Sequence, residues 1–299
     1  MIIIKPVGGL ASQLHKYAIG YTLAKKHNTK LKLDLSWFED TPKSDTNWEF
    51  ALNKFLLEYE IASESEIASL KPSKLLLKVK NVLSRFFGIN IDIKGYVNNS
   101  FIGLNEFMNI PDNVYLEGEW VGYKYFCELK NELSELIIRK DIASLILDKY
   151  KIDRNVENVS LHIRRGDFIS NPSASKFHKT CSLEYYYEAI DKLESIVGDK
   201  LKYFVFSDDI AWAKENLAIK NNMDVEFVTE LDEVETFIFM TQCDHNIIAN
   251  SGFSWFASWF NENHEKIVFA PKLWVSDEFI NSEILAGISE PNVKFLNNE

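Results

Sequence analysis

The second half of the chain alternates between short apolar runs and amphipathic stretches, and this alternation restricts the fold more than any other feature. A strand, a helix and a further strand in regular succession are typical of a parallel sheet with helices on both faces. We therefore predict a doubly wound α/β domain in this half of the chain. Its strands are predicted at residues 158–163, 203–206, 225–228, 246–249 and 267–270.

The first half begins with the same kind of unit. A predicted strand at residues 2–7 leads through Gly8 and Gly9 into a helix at 11–27 and a second strand at 31–35. This order resembles the opening of a Rossmann half. A long helical pattern, broken near Lys140, runs from about 124 to 150, whereas residues 40–113 contain scattered aromatic residues and are expected to form short helices. The polar stretch at 152–158 predicts the domain boundary, which gives an α/β protein with domains at 1–152 and 153–299.

Two adjacent arginines stand at the end of a predicted buried strand. The alternating apolar residues up to Ile163 lead directly into Arg164, Arg165, Gly166 and Asp167. The planar fork of arginine matches phosphate oxygens bidentately, and ligands of open α/β sheets bind at the carboxyl ends of the strands. The sequence therefore predicts an anion site here, and the alternative is a pair of arginines engaged in surface ion pairs.

Four turns lie where a predicted strand gives way to a helix. A helix N-terminus presents unpaired N–H groups and a partial positive charge, which suits an anion, although each such turn alone is typical of ordinary capping. Together with the arginine pair they predict a nucleotide diphosphate held between two α/β domains. Neither a full GxGxxG nor a GxxxxGK[ST] occurs, which argues against a dinucleotide or P-loop site. The turns are residues 8–13, 162–167, 207–209 and 250–254.

Composition argues against several other functions. The net charge of −11 does not favour general nucleic-acid binding, which needs a basic face. The absence of D-x-D and HxxxH spacings leads us to expect no metal site. His162 on a predicted buried strand is more typical of a core histidine than of a metal ligand. The pair Asp208-Asp209 suits helix capping better than Mg²⁺ binding.

The cysteines and the chain start indicate a reducing compartment. Three widely spaced cysteines, Cys127, Cys181 and Cys243, are predicted to be free thiols. Residues 1–6 lack the charged n-region and long apolar core of a signal peptide. No apolar run approaches the ~18 residues that span a bilayer. We therefore expect a cytoplasmic protein.

One segment of this acidic chain is basic and amphipathic. Residues 71–87 combine five Lys or Arg side chains with leucine, valine and phenylalanine in a helical pattern. Such a helix either packs one face on the core of its domain or rests on an anionic surface. The second alternative predicts peripheral contact with the inner membrane or with the lipid anchor of an acceptor.

The motifs, taken in order, resemble those of the bacterial α-1,2-fucosyltransferases, glycosyltransferase family 11. Residues 8–14 resemble the family's GGLGNQ opening, and residues 162–167 match its HxRRGD motif. Two departures occur, because Ala11-Ser12 replaces Gly-Asn and Gly252 replaces a serine. The remaining matches are residues 116–126, 204–209 and 245–255, which leave 40–110 uncovered.

The resemblance implies a GT-B-like fold with two Rossmann-like domains facing across a cleft. It implies GDP-β-L-fucose as donor, a galactoside hydroxyl of a glycan or glycolipid as acceptor, α-1,2 linkage with inversion, and neither metal nor cofactor. Residues 1–152 would then form the acceptor side and 153–299 the GDP-fucose domain. The two departures leave room for another nucleotide-sugar donor. A non-catalytic module is a further alternative, since Arg165-Gly166-Asp167 is an RGD tripeptide.

The resemblance also assigns roles to individual residues. Arg164 would hold the β-phosphate and stabilise the departing diphosphate, and Asp167 would act as base or orient Arg164 or His162. His162 and Asp208 would lie along the nucleotide. The remaining predicted substrate-binding residues are Gly9, Ser12, Gln13, Arg165, Asn250, Ser251, Phe253 and Ser254.

Overall fold

The computed structural model describes residues 1–40, 46–87, 93–218 and 223–299, and it forms two compact units, Met1–Leu133 and Ser134–Glu299. The division lies ahead of the boundary predicted at 152–153. The reason is that helix Lys140–Lys149 contacts helix Glu233–Gln242 of the second unit. The Tyr150 ring also packs against Phe239, with ring centroids 4.8 Å apart. The polar stretch after residue 150 is therefore a loop inside the second unit.

The first unit is built on a parallel five-stranded sheet with the order β3-β2-β1-β5-β4. Its strands are β1 (Ile2–Ile4), β2 (Leu31–Leu33), β3 (Glu60–Ile61), β4 (Tyr96–Val97) and β5 (Val114–Leu116). Its helices are α1 (Leu10–His27), α2 (Ser36–Glu39), α3 (Glu64–Leu70), α4 (Lys74–Phe87) and α5 (Leu104–Met108), and α6 (Lys130–Ile137) crosses the division.

The second unit contains a parallel six-stranded sheet with the order β11-β10-β9-β6-β7-β8. Its strands are β6 (Glu157–Ile163), β7 (Leu201–Ser207), β8 (Asp224–Phe227), β9 (His245–Ile247), β10 (Val268–Pro271) and β11 (Val293–Leu296). Its helices are α7 (Lys140–Lys149), α8 (Gly166–Ser170), α9 (Pro172–Phe177), α10 (Leu183–Val197), α11 (Ile210–Asn216), α12 (Glu233–Gln242), α13 (Gly252–Phe260) and α14 (Glu278–Ile288).

Both faces of the second sheet are covered, as parallel sheets require. Val159 and Leu161 of β6 pack in one cluster with Tyr185 of α10. On β7, Phe204 packs against Phe239 of α12, with ring centroids 4.7 Å apart. Successive residues of these strands therefore enter cores on opposite sides of the sheet. Because both sides are buried, the sequences of these strands are apolar at nearly every position.

The strand order in each unit reverses at one point. In the second unit the chain proceeds from β6 to β7 and β8 on one side, and then places β9, β10 and β11 on the other. In the first unit the reversal lies between β1 and β5. Loops at the carboxyl ends of strands beside such a reversal form the ligand crevice of open α/β sheets. The loops after β6 and β9 occupy that position.

Several predicted elements match the structure and several do not. The helical break near Lys140 is confirmed, since α6 ends at Ile137 and α7 begins at Lys140. The second strand ends at Leu33 and not at 35, because Asp34 accepts a hydrogen bond from the Ser36 N–H and turns the chain. Sequence reasoning missed the helices α8, α9 and α14 and the strands β3, β4 and β11. Helix α4 lies within the helix predicted at residues 71–87. Within the described ranges, no helix is both long and apolar enough to cross a bilayer.

Candidate functional site

The predicted residues of the second unit lie at the carboxyl ends of three adjacent strands. β6 lies between β7 and β9 in the sheet, so the three loops that follow these strands are neighbours. Ile163 and Ser207 are register partners in the β6–β7 pair. Arg164 and Asp208 each directly follow one member of this pair, so they lie at the same level at the carboxyl ends of β6 and β7.

The Arg164 side chain is held by two carboxylates. Its Nη2 lies 2.6 Å from Asp167 Oδ1, and its Nη1 lies 3.0 Å from Asp208 Oδ2. The guanidinium carbon also lies 5.5 Å from the centroid of the Phe168 ring. The side chain is 17% exposed, so the charged group is oriented by its surroundings and still reaches solvent. A guanidinium held in this way is preorganised for a third anionic partner.

Asp208 connects the loops after β6 and β7. Its Oδ1 accepts a hydrogen bond from the Arg165 N–H at 2.9 Å, while its Oδ2 pairs with Arg164. Gly166 lies against the same carboxylate, and a Cβ added there would be 2.5 Å from Oδ2. Any residue other than glycine at position 166 would therefore displace the Asp208 carboxylate.

Arg165 is directed back onto its own unit. Its guanidinium carbon lies 3.6 Å from the centroid of the Trp212 ring, and its Nε lies 3.5 Å from Asp209 Oδ2. Asp209 also caps α11 by accepting from the Trp212 N–H at 3.2 Å, which confirms the capping role predicted for this residue. Because Arg165 and Asp167 are both mostly buried in such pairs, the tripeptide 165–167 is not displayed as a receptor-binding loop.

His162 is a buried, neutral imidazole next to this cluster. Burial, and then the positive charge of Arg164, lower its pKa to about 4, while the Asp208 carboxylate acts in the opposite direction. Its Nδ1 is buried and has no hydrogen-bond partner within the part of the chain that the structure describes. The ring lies 5.7 Å from that of Phe253 in α13. At neutral pH this imidazole can donate or accept a hydrogen bond without adding charge.

The loop after β9 is shaped by its own side chains. Asn250 donates to the backbone oxygens of Lys179 and Trp274, at 2.7 and 3.1 Å. Ser251 caps α13 by accepting from the Phe253 N–H at 3.3 Å, and buried Ser254 donates to the Ser251 oxygen at 3.4 Å. The polar side chains predicted to bind substrate here thus form hydrogen bonds that fix the conformation of the loop. The ring of Phe253 lies next to that of His162.

Three predicted residues lie in the first unit, after β1. Gly9 precedes α1, and Ser12 is exposed on the first turn of that helix. Gln13 is buried, and its side-chain amide donates to the backbone oxygens of Gly8 and Glu49, at 2.8 and 2.9 Å. Its Oε1 accepts from the Ala51 N–H at 2.9 Å. Gln13 therefore joins the first turn to residues 49–51, and this contact gives it a structural role.

Sequence reasoning missed the aromatic side chains that support the two arginines. Trp212 lies beneath Arg165, and Phe168 lies beside Arg164 and stacks on His178 at 4.5 Å with an interplanar angle of 1°. Phe168 could have been found from the sequence, because it directly follows Asp167 in the motif. Trp212 could not, because Arg165, which it contacts, is 47 residues away in the sequence.

The cluster does not attract anions through its net charge. The two arginines at 164 and 165 are accompanied by three carboxylates, at 167, 208 and 209. The features of this cluster that suit an anion are therefore oriented N–H groups, those of the guanidinium fork and those at the start of α13. Within the described residues, no three His, Cys, Asp or Glu side chains are grouped to hold a metal ion. No disulfide joins Cys127, Cys181 or Cys243 in the described part of the chain.

Comparison with known proteins identifies relatives over nearly the whole chain. The model of Glycosyl transferase family 11 matches residues 8–289. The O-antigen biosynthesis glycosyltransferase WbnK of Escherichia coli is 32% identical over 287 residues, which cover 89% of this chain and 92% of that protein. An alpha-1,2-colitosyltransferase of Escherichia coli is 29% identical over 293 residues, 94% of this chain and 95% of that protein.

A solved structure shares the fold. The crystal structure of POFUT1 in complex with GDP matches with a TM-score of 0.51 at 12% identity, covering 89% of this chain and 95% of that one. At this identity the likeness concerns the fold alone. Together with the two parallel α/β units, it confirms the predicted α/β, GT-B-like fold class.

Proposed function

The chain belongs to glycosyl transferase family 11, and we propose that it transfers L-fucose from GDP-β-L-fucose to a galactoside hydroxyl. The linkage formed is α-1,2, with inversion at the anomeric carbon. The family match and the Escherichia coli relatives establish the general class, a glycosyltransferase. The donor, the linkage and the acceptor, a glycan or glycolipid precursor of a surface polysaccharide, are the proposed part.

One observation carries the proposal: a guanidinium stands oriented at the topological switch point of the second sheet. Arg164 lies just beyond β6, with its Nη atoms 2.6 and 3.0 Å from two carboxylates. Cleavage of the sugar–phosphate bond transfers the bonding electron pair to the diphosphate, whose charge grows in the transition state. A preoriented cation stabilises that charge without reorganisation at the moment of reaction. This supports placing the diphosphate of the donor against Arg164.

His162 and the start of α13 complete the donor site in this proposal. The unpartnered Nδ1 of His162 supplies a hydrogen bond to the nucleotide, and the imidazole stays uncharged beside Arg164. The backbone N–H groups at the start of α13 face the same crevice, because β9 neighbours β6. Asp208 acts as a positioning residue, since it holds both Arg164 and the Arg165 backbone.

Asp167 has two predicted roles, base or orienting group. Its Oδ1 lies 2.6 Å from Arg164 Nη2, and it is therefore committed to an ion pair in this structure. A carboxylate engaged in this way is a weak acceptor for the proton of an attacking hydroxyl. We assign Asp167 to positioning Arg164, and the base for the acceptor proton lies elsewhere.

Another sugar donor is the second candidate. A relative with 29% identity over 94% of this chain is an alpha-1,2-colitosyltransferase, and Ser12 replaces an asparagine of the family motif in the first turn. Exposed Ser12 lies at the start of α1, where a change of hydrogen-bonding group alters donor or acceptor contacts. A colitosyl donor therefore deserves direct comparison with GDP-fucose.

The test incubates purified protein with a panel of donors and β-galactosides and identifies products by mass spectrometry. The donors are GDP-fucose, the colitosyl donor, GDP-mannose and UDP-sugars. We expect fucosylated product, with the α-configuration at the new linkage by NMR, and the same rate in EDTA as in Mg²⁺. Product from the colitosyl donor alone would select the second candidate, and loss of activity in EDTA would overturn the metal-independent mechanism.

A further inference from the structure

Helix α4 carries an apolar stripe that faces away from its own unit. Leu75, Val79, Val82 and Phe86 are 72, 45, 50 and 71% exposed. Spacings of four, three and four residues place them along one side of the helix. Leu77 lies on the opposite side and packs against the cluster of Ile3, Ala62, Tyr96 and Tyr115. The helix thus packs on its unit through the side that carries Leu77, and the apolar stripe on the opposite side is exposed to solvent.

The charged residues of this segment all have one sign. Residues 71–91 contain five Lys or Arg and no Asp or Glu, in a chain whose net charge is −11. Lys78 is exposed and lies on the helix beside the stripe. The helix itself begins at Lys74 and not at residue 71 as predicted, because the Ser73 hydroxyl accepts a hydrogen bond from the Leu76 N–H at 3.3 Å and so caps its first turn. Two copies of this face would bring like charges together, whereas an anionic surface complements them.

We propose that α4 docks the protein on an anionic lipid bilayer. Leu75, Val79, Val82 and Phe86 enter the boundary between headgroups and acyl chains, and the lysines stay at the level of the lipid phosphates. An amphipathic helix with an apolar side and basic flanks, such as α4, is typical of interfacial binding. The docking depends only on α4 and is independent of the sugar donor, so it can fail or hold whatever the donor panel shows.

Co-sedimentation of the full chain with vesicles tests the proposal. We expect binding to vesicles of phosphatidylcholine with phosphatidylglycerol, weaker binding to phosphatidylcholine alone, and release by salt. Lys78→Gln should weaken binding to the mixed vesicles about fivefold, because one lysine near such a surface contributes about that factor. The double variant Leu75→Ser, Val79→Ser should lose sedimentation while keeping the melting temperature, since both side chains are exposed.

Two matched variants control for general effects of charge and apolar surface. Leu145→Ser removes an exposed leucine of α7, and Lys200→Gln removes an exposed lysine of the second unit. Both should bind the mixed vesicles as the unmodified chain does. Absence of binding, equal binding to both vesicle types, or full binding by the double variant would each overturn the proposal. So would sedimentation velocity showing a dimer that the double variant loses, because a second copy would then cover the stripe.

Discussion

Arg164 is the residue on which the proposed chemistry depends. Its ion pairs with Asp167 and Asp208 orient the guanidinium and partly balance its charge. A diphosphate bound here adds a third anionic partner to a group that is already held in place. Removing the guanidinium takes away the cation and leaves the Asp167 and Asp208 carboxylates without it, and their negative charges would repel a diphosphate. The effect of substitution therefore exceeds that of one lost hydrogen bond.

Substitution of Arg164 tests this role directly. We expect Arg164→Ala to lower kcat/KM by at least about 10²–10³, since that is the range found when a single stabilising donor of a transition-state anion is removed. Arg139→Ala is the matched control, because Arg139 pairs with Asp141 on the surface of the second unit. Assays run well below the melting temperature of each variant separate catalysis from stability. A variant that keeps more than about a tenth of the activity would contradict the role.

A second prediction about a single residue concerns Gly166. A methyl group at this position would lie 2.5 Å from Asp208 Oδ2, so the carboxylate must move away from Arg164 and the Arg165 N–H. We expect Gly166→Ala to lower kcat/KM about tenfold or more, since a small misplacement of a positioning group is costly. The control is Gly103→Ala, because an added Cβ there meets no atom within 4 Å. Equal activity in the two variants would remove the positioning role of Asp208.

The start of α1 shows how an element can depend on one buried amide. Gln13 uses both ends of its side-chain amide, and so holds the first turn of α1 to the segment at residues 49–51. The sequence predicts Gln13 as a substrate ligand. The hydrogen bonds instead favour a contribution to stability, because all three bonds join parts of the first unit.

Unfolding experiments distinguish the two roles of Gln13. Gln13→Leu keeps the volume but leaves one N–H and two backbone oxygens without their partner, so we expect the free energy of unfolding to fall by about 2–4 kcal/mol. The measurement is urea unfolding without any donor present. Ser12→Ala, at the exposed neighbouring position, should change it by less than about 0.5 kcal/mol. An unchanged stability together with a raised KM for the donor would favour the ligand role.

At the scale of the whole molecule, buried histidines couple stability to pH. The pKa of His162 is lowered from its ordinary 6.5 to about 4, chiefly by burial, and burial lowers that of His15 to about 3. Between the unfolded and folded pKa values the unfolded chain binds more protons than the folded one. The free energy of unfolding therefore falls as the pH falls from 6.5 towards 4, and this contribution is constant above that window.

Removing one of these histidines should make the free energy of unfolding depend less on pH below about 6.5. Between pH 7 and pH 5 the His162 contribution changes by about 2 kcal/mol, from the shift and the linkage relation. The free energy of unfolding of both proteins is measured by urea unfolding at pH 7 and at pH 5. We expect its decrease between these pH values to be smaller by about 2 kcal/mol in His162→Gln than in the unmodified chain. The same loss in both proteins would show that His162 is not buried in its neutral form.

The sequence by itself determined the class of the fold and the location of the loops. Periodicity is a local property, so apolar runs separated by amphipathic stretches predict parallel α/β units, and the residues after each run predict which side chains stand at the strand ends. Helix caps are equally local: Ser182, Asp209 and Ser251 each accept from a backbone N–H two or three residues ahead. These features need no knowledge of how the strands are ordered.

Only the tertiary structure decided how the loops are combined. The strand order places β9 beside β6, which brings the start of α13 to His162, and it pairs Arg164 with Asp208 across 44 residues. It also assigned residues 134–152 to the second unit and turned the apolar stripe of α4 outward. Such contacts join residues far apart in the chain, and they follow from packing and from strand order, which no local pattern encodes.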